Sequence, residues 1–131
     1  MAALIDACRS PQYPAEVALV LSNRPDAAGL RTAREADIPT KVIEHGDYKN
    51  REFFDAAMTD ILAANGVRLI CLAGFMRLLS IEFCQRWWDK IINIHPSLLP
   101  AFKGLYVHER MLEAGVTVSY PHLTLPPLLL V

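Results

Sequence analysis

Two polar residues at the end of a predicted strand, Asn93 and His95, have the types and the spacing that acyl transfer uses. Side chains alternate along a strand, so these two are predicted to point to the same side of it. An asparagine amide can donate a hydrogen bond to a developing oxyanion, and a histidine can donate a proton there, without a metal. An equally good alternative is structural, in which Asn93 ends the strand and His95 is a hydrogen-bonded core histidine.

A second candidate site lies at the exit of the most strand-like run of the chain. Four residues there, Met76, Arg77, Leu78 and Leu79, could line an apolar pocket whose free backbone groups bind a flat heterocycle. The alternative is ordinary core packing. Packing is the favoured interpretation for Leu78 and Leu79, whereas Met76 and Arg77 stay open.

The elements that must position these residues alternate between short β-branched runs and amphipathic segments, which predicts a parallel sheet with crossover helices. The predicted strands are 16–22, 40–43, 67–72 and 91–94, and the predicted helices are 1–8, 27–36, 51–64, a short helix capped by Ser80, and 107–114. The nearly continuous apolar run 16–22 is typical of a strand that is buried on both faces. Arg51 begins one of the helices and is by default a solvated surface cation.

Composition narrows the class of protein. A chain of 131 residues has room for one domain, since compact domains cluster at roughly 100 to 200 residues. Thirteen Lys and Arg against 14 Asp and Glu give a net charge of -1, which disfavours nucleic acid as a partner. Three widely spaced cysteines favour a reducing cytoplasm over a disulfide framework or a zinc site. No secretory signal or membrane span is predicted.

The last fourteen residues differ from the rest. Residues 118–131 (VSYPHLTLPPLLLV) contain no Asp, Glu, Lys or Arg, hold three of the nine prolines and show neither a strand nor a helix period. We therefore expect residues 1–117 to form a partial domain. The apolar tail, 118–131, is expected to be foreign to it, the product of a reading-frame or cloning junction.

Six stretches of the chain carry a family resemblance. They are AALIDAC (2–8), LVLSNRPDAAGL (19–30), NRE (50–52), LAGFMRLLS (72–80), INIHPSLLPAFKGL (92–105) and HER (108–110). Together they resemble phosphoribosylglycinamide formyltransferase over about residues 1–116. The related formyltetrahydrofolate deformylases typically carry a second histidine where this chain has Pro96, and methionyl-tRNA formyltransferases usually have a glycine there.

The resemblance implies a Rossmann-like α/β domain with a mostly parallel sheet and helices on both faces, incomplete here. It implies transfer of a formyl group from 10-formyltetrahydrofolate to the amine of glycinamide ribonucleotide, in purine biosynthesis, without a metal. By motif match, His95 polarises the formyl oxygen and acts as general acid, and Asn93 stabilises the tetrahedral intermediate. The match also places the segment Met76 to Leu79 against the folate pterin, and Arg51 against the formyl-folate.

Two departures from the family bear on activity. The family has a first strand and a phosphate-binding loop before the helix that opens this chain, and a catalytic aspartate where this chain has 118–131, which contains no Asp. The family's Leu-His-Thr-His run also appears here as Leu-Tyr-Val-His at 105–108. We therefore expect no measurable transfer by this chain. The alternatives are a deformylase-like hydrolase, a non-catalytic folate-binding remnant and a fragment that does not fold stably.

Overall fold

The computed structural model describes residues 1–95, 101, 106–115 and 122–124, with the main chain alone at 95, 107, 108 and 122–124. The chain divides into two compact units. The first consists of residues 1–68 and 78–83, and the second of residues 69–77 and 84–131.

The first unit contains a two-stranded parallel ladder covered by a helix. Its elements are α1 (Ala2–Cys8), β1 (Val20–Ser22), α2 (Ala28–Glu35), β2 (Thr40–Val42), a 3-10 turn (His45–Asp47) and α3 (Arg51–Ala64). β1 pairs with β2, and α2, which connects them, packs on both strands. The centre of this packing is formed by Val20, Leu30 and Ala33, which are almost fully buried. The predicted strand–helix–strand order is confirmed here.

β1 is shorter than the predicted strand 16–22, and only Val20 in it is fully buried. The prediction is wrong in length because a strand extends only as far as its partner. The ladder begins where the Val20 amide donates to the Pro39 carbonyl (2.9 Å) and ends where the Ile43 amide donates to the Ser22 carbonyl (3.0 Å). A proline has no N–H to continue a ladder, which fits the position of Pro39 just before β2.

α3 has the predicted bounds, because local signals mark both of its ends. The Asn50 side chain accepts a hydrogen bond from the Phe53 amide (3.0 Å), which satisfies one of the free N–H groups at the helix start. At the other end, Asn65 is the C-cap and Gly66 has a φ of 66°, a left-handed conformation that glycine adopts without strain.

The second unit contains a three-stranded ladder of β3 (Ile70–Leu72), β4 (Ile91–His95) and β5 (His122–Thr124), together with α5 (Val107–Glu113). β3 and β4 are parallel, as predicted, and α4 (Ile81–Arg86) lies between them in the chain. The predicted strand 67–72 begins only at Ile70, whose amide donates to the Lys90 carbonyl (2.8 Å). β3 is therefore limited by the start of β4.

β5 was not predicted, since residues 118–131 lack a strand period. It pairs with β4 in the antiparallel direction. Such pairing is made by main-chain groups and does not require alternating side chains, which explains why the sequence pattern missed it. The remainder of 118–131 and residues 96–100, which follow β4, lie outside the described residues.

The part of the chain that the structure describes contains no helix long and apolar enough to cross a membrane.

Candidate functional site

β4 contains Asn93, as the sequence predicts, and extends one residue beyond the predicted strand 91–94 to include His95. Asn93 is half-buried on the same strand face as Ile91, which is fully buried, whereas Ile94 on the opposite face is 45% exposed. Asn93 is aligned with Leu72 of β3 on one side and with Thr124 of β5 on the other. The strand thus fixes the main chain of both candidate residues, and the side chain of His95 lies outside the described residues.

The loop after β3 belongs to the same unit as β4 and leaves the sheet from the same edge. Parallel neighbours have their carboxyl ends together, and ligands of open α/β sheets bind outside that edge. In this loop Gly74 has a φ of 70°, Met76 is 71% exposed and Arg77 is exposed. The structure therefore brings Met76 and Arg77 to the edge at which β4 ends.

Leu78, Leu79 and Arg51 lie in the first unit. Leu78 is 73% exposed, so the interpretation of this residue as core packing is wrong, and Leu79 is half-buried. An apolar residue in an irregular segment is buried only if another element covers it, and the sequence pattern does not show which element does so. Arg51, on the first turn of α3, is exposed and pairs with Glu52 (Nη2 to Oε1, 3.3 Å). Such a pair between exposed side chains contributes little to stability.

One buried carboxyl group was missed by the sequence analysis. Asp55 on α3 is 2% exposed, and its Oδ2 accepts a hydrogen bond from the Ser80 amide (2.6 Å). The hydroxyl of Ser80 accepts from the Phe83 amide (3.2 Å), which confirms Ser80 as the predicted cap of α4. A signal existed in the sequence, because Asp55 is a lone carboxylate beside Phe54 and one turn from Met58 on the buried side of α3.

The shortest ion pair among the described residues lies in the turn after β1. Arg24 Nη2 is 2.7 Å from Asp26 Oδ2, and this hydrogen bond lowers the pKa of the Asp26 carboxyl below its ordinary value. Both side chains are exposed. Within the described residues no group of three or more His, Cys, Asp and Glu side chains could hold a metal ion.

Comparisons with known proteins agree on one family. The family model described as formyl transferase matches residues 1–120. The chain is 51% identical over 117 residues to the trifunctional purine biosynthetic protein adenosine-3 of Bos taurus, and 46% identical over 112 residues to the phosphoribosylglycinamide formyltransferase of Haemophilus influenzae. It superposes with a TM-score of 0.89 and 42% identity on the phosphoribosylglycinamide formyltransferase of Brucella melitensis, covering 95% of this chain.

The chain is shorter than each of these relatives. It spans 12% of the bovine protein, 53% of the Haemophilus protein and 65% of the Brucella structure. The bovine match covers 89% of this chain, and the Haemophilus match covers 86% of it. The solved relatives have the Rossmann-like α/β fold that the sequence predicts. Each unit of this chain contains one parallel strand pair, as an incomplete fold of that class would.

Proposed function

Because the chain belongs to the formyl transferase family, we propose that its residues act in the transfer of a formyl group from 10-formyltetrahydrofolate to the amine of glycinamide ribonucleotide. The names of the Haemophilus and Brucella relatives support this substrate, and the name of the bovine relative supports a place in purine biosynthesis. The chain spans about half of the Haemophilus relative, so the proposal concerns the formyl-folate contacts and the two hydrogen-bond donors that its own residues supply.

The observation that carries the proposal is the arrangement at one edge of the second unit. β4 ends in Asn93 and His95, and the loop with Met76 and Arg77 leaves the parallel neighbour β3 at the same edge. In the proposed reaction the folate supplies an activated formyl group. The amine nitrogen of glycinamide ribonucleotide attacks the formyl carbon and gives up a proton, and the bond from that carbon to N10 of the folate breaks as N10 takes up a proton. His95 polarises the formyl oxygen and donates the proton to the leaving N10, while the Asn93 amide donates a hydrogen bond to the oxygen as negative charge develops on it.

The exposed residues of the loop fit a folate. Met76 is 71% exposed and Leu78 is 73% exposed, so two large apolar side chains lie outside the core in a segment without helix or strand. A flat heterocycle needs apolar contact and a few backbone hydrogen bonds, which such a segment offers. We assign Met76, Arg77, Leu78 and Leu79 to contacts with the pterin. Arg51, which is exposed at the start of α3, is assigned to a further contact with the formyl-folate.

Binding tests this proposal most directly. The chain is titrated with a folate analogue that has no transferable formyl group, and saturable binding is expected. Met76→Ser removes an apolar contact and should weaken binding about tenfold, since burying a methionine side chain contributes roughly 1.5–3 kcal/mol. The matched control is Leu112→Ser, which changes a side chain of similar exposure (74%) on α5 and should leave binding unchanged. Absence of binding, or equal weakening by both variants, would contradict the proposal.

Product analysis separates the reaction classes. With glycinamide ribonucleotide and formyl-folate present, a formylated product that disappears in His95→Ala would support transfer, and would refute the prediction that this chain shows no measurable transfer. Release of free formate instead would favour a hydrolase. If His95→Ala binds folate as tightly as the wild type and neither protein forms a product, the chain is a folate binder without activity. That result agrees with the prediction of no transfer.

A further inference from the structure

A buried carboxyl group holds the end of the segment assigned above to folate. Asp55 lies in the second turn of α3 and is 2% exposed, and its Oδ2 accepts from the Ser80 amide at 2.6 Å. The two residues are 25 positions apart and belong to the same unit. This contact therefore joins α3 to the residue that directly follows Leu78 and Leu79.

Residues 73–80 form neither helix nor strand, so their conformation depends on contacts with other elements. Among the described residues, the hydrogen bond that the Ser80 amide donates to Asp55 joins residues 78–80, the part of this segment that lies in the first unit, to α3. Ser80 is itself 2% exposed, and its hydroxyl caps α4 through the Phe83 amide. Ser80 is thus fixed from two directions, while Leu78, two residues before it, remains 73% exposed.

Packing alone does not explain a carboxyl group at a buried helix position. Burial of a polar group is unfavourable unless it is hydrogen-bonded, and an apolar side chain of the same size is often as good or better for stability. The Asp55 acceptor satisfies the Ser80 amide, which would otherwise be buried without a partner. What the carboxyl adds over an apolar side chain is a defined position for the main chain at Ser80.

We infer that Asp55 is a positioning residue for the folate segment: by holding the Ser80 main chain, it sets how Leu78 and Leu79 are presented to the ligand. This inference rests on the proposed function, because it needs the segment to contact folate. Asp55 itself is buried and acts through Ser80.

Two variants of nearly equal size and no charge test the role of the acceptor. Asp55→Asn retains a side-chain oxygen that can accept the Ser80 amide, whereas Asp55→Leu does not. Amide hydrogen exchange is measured in the ligand-free protein, followed by titration with the folate analogue. A hydrogen bond to a buried acceptor is commonly worth a factor of about ten. We expect Asp55→Leu to lose about tenfold in protection at Ser80 and about tenfold in affinity, and Asp55→Asn to lose less than about threefold in either.

Leu62→Ala is the matched control for general destabilisation. Leu62 is buried on the same helix (7% exposed), and its side chain has no acceptor for the Ser80 amide, which donates to Asp55. This variant should lower the unfolding midpoint without a selective loss of protection at Ser80 or of folate affinity. A merely structural role for Asp55 would make Asp55→Leu behave like Leu62→Ala, and that result would overturn the inference.

The outcomes remain separable from those of the proposed function. If the wild-type chain binds no folate analogue, the proposed function fails and the folate role of Asp55 fails with it. If the wild type binds and both Asp55 variants bind equally well, the inference alone is wrong. Should Asp55→Leu not fold, the wild type still decides: the Ser80 amide must exchange at least about tenfold more slowly than those of Leu78 and Leu79, and a similar rate would overturn the inference.

Discussion

Replacing Asn50 by alanine removes the side chain that caps the start of α3. The Asn50 side-chain oxygen accepts from the Phe53 amide at 3.0 Å, and its carbonyl accepts from the Phe54 amide at 3.2 Å. Alanine keeps the second bond and loses the first. The next residue, Arg51, is assigned to the formyl-folate and depends on this first turn for its position.

The size of the effect follows from the exposure of the cap. Asn50 is exposed, so the Phe53 amide can turn to water when the cap is lost, and loss of an N-cap of this type costs about 0.5–2 kcal/mol. We expect about 1 kcal/mol of lost stability, which is roughly a fivefold change in the unfolding equilibrium. Phe53 should lose amide protection more than residues in the last turn of α3, because fraying begins at the end that lost its partner.

The matched control is Asn65→Ala at the opposite end of the same helix. The Asn65 side-chain amide donates to the Ile61 carbonyl at 2.8 Å, so this variant also loses one exposed hydrogen bond. Chemical denaturation should show similar losses of stability for both, while the folate analogue should bind more weakly only to Asn50→Ala. Equal protection at Phe53 in wild type and Asn50→Ala would refute the capping argument, and equal affinity in both variants would refute the link to Arg51.

Two further predictions concern the first unit. Leu30→Ala should lower the free energy of unfolding by about 3 kcal/mol, since Leu30 is 1% exposed between Val20 and Ala33 and its loss leaves a cavity. Denaturant unfolding measures this change, and a loss below about 1 kcal/mol would contradict the assigned core. The carboxyl of Asp26 should titrate below the ordinary value of about 3.9 in an NMR pH titration, and Arg24→Gln should raise its pKa again. Because the folded pKa is the lower one, the pair stabilises the fold above about pH 4 and this contribution is lost as the pH falls through the folded pKa. An Asp26 pKa that does not respond to Arg24→Gln would refute the assigned cause.

The ends of α3 could be predicted from the sequence because the signals are local, whereas the ends of the strands could not. Asn50 is adjacent to the first turn of α3, and Asn65-Gly66 are adjacent to its last turn. β1 and β3 were predicted too long because their lengths depend on β2 and β4, which are distant in the sequence. A strand pattern therefore locates the strand but does not fix where pairing begins.

The candidate site shows the same distinction. Asn93 and His95 were found because alternation along one strand is a local property, and β4 includes both. Asp55 was missed because its partner, Ser80, lies 25 residues away and is recognised only in the folded chain. The burial of Leu78 was predicted wrongly because leucine is most often a core residue. Its actual exposure of 73% depends on elements outside its own segment.

The central position of β4 has a consequence for how the Asn93 amide would act. Its main chain is aligned with Leu72 on one side and with Thr124 on the other, so the strand that bears it is restrained in both directions. Water dipoles must rotate to face a newly formed negative charge, and that rotation raises the barrier of the same reaction in solution. An amide on a doubly paired strand has its backbone set during folding, so little solvent-like reorganisation remains for the moment at which charge moves.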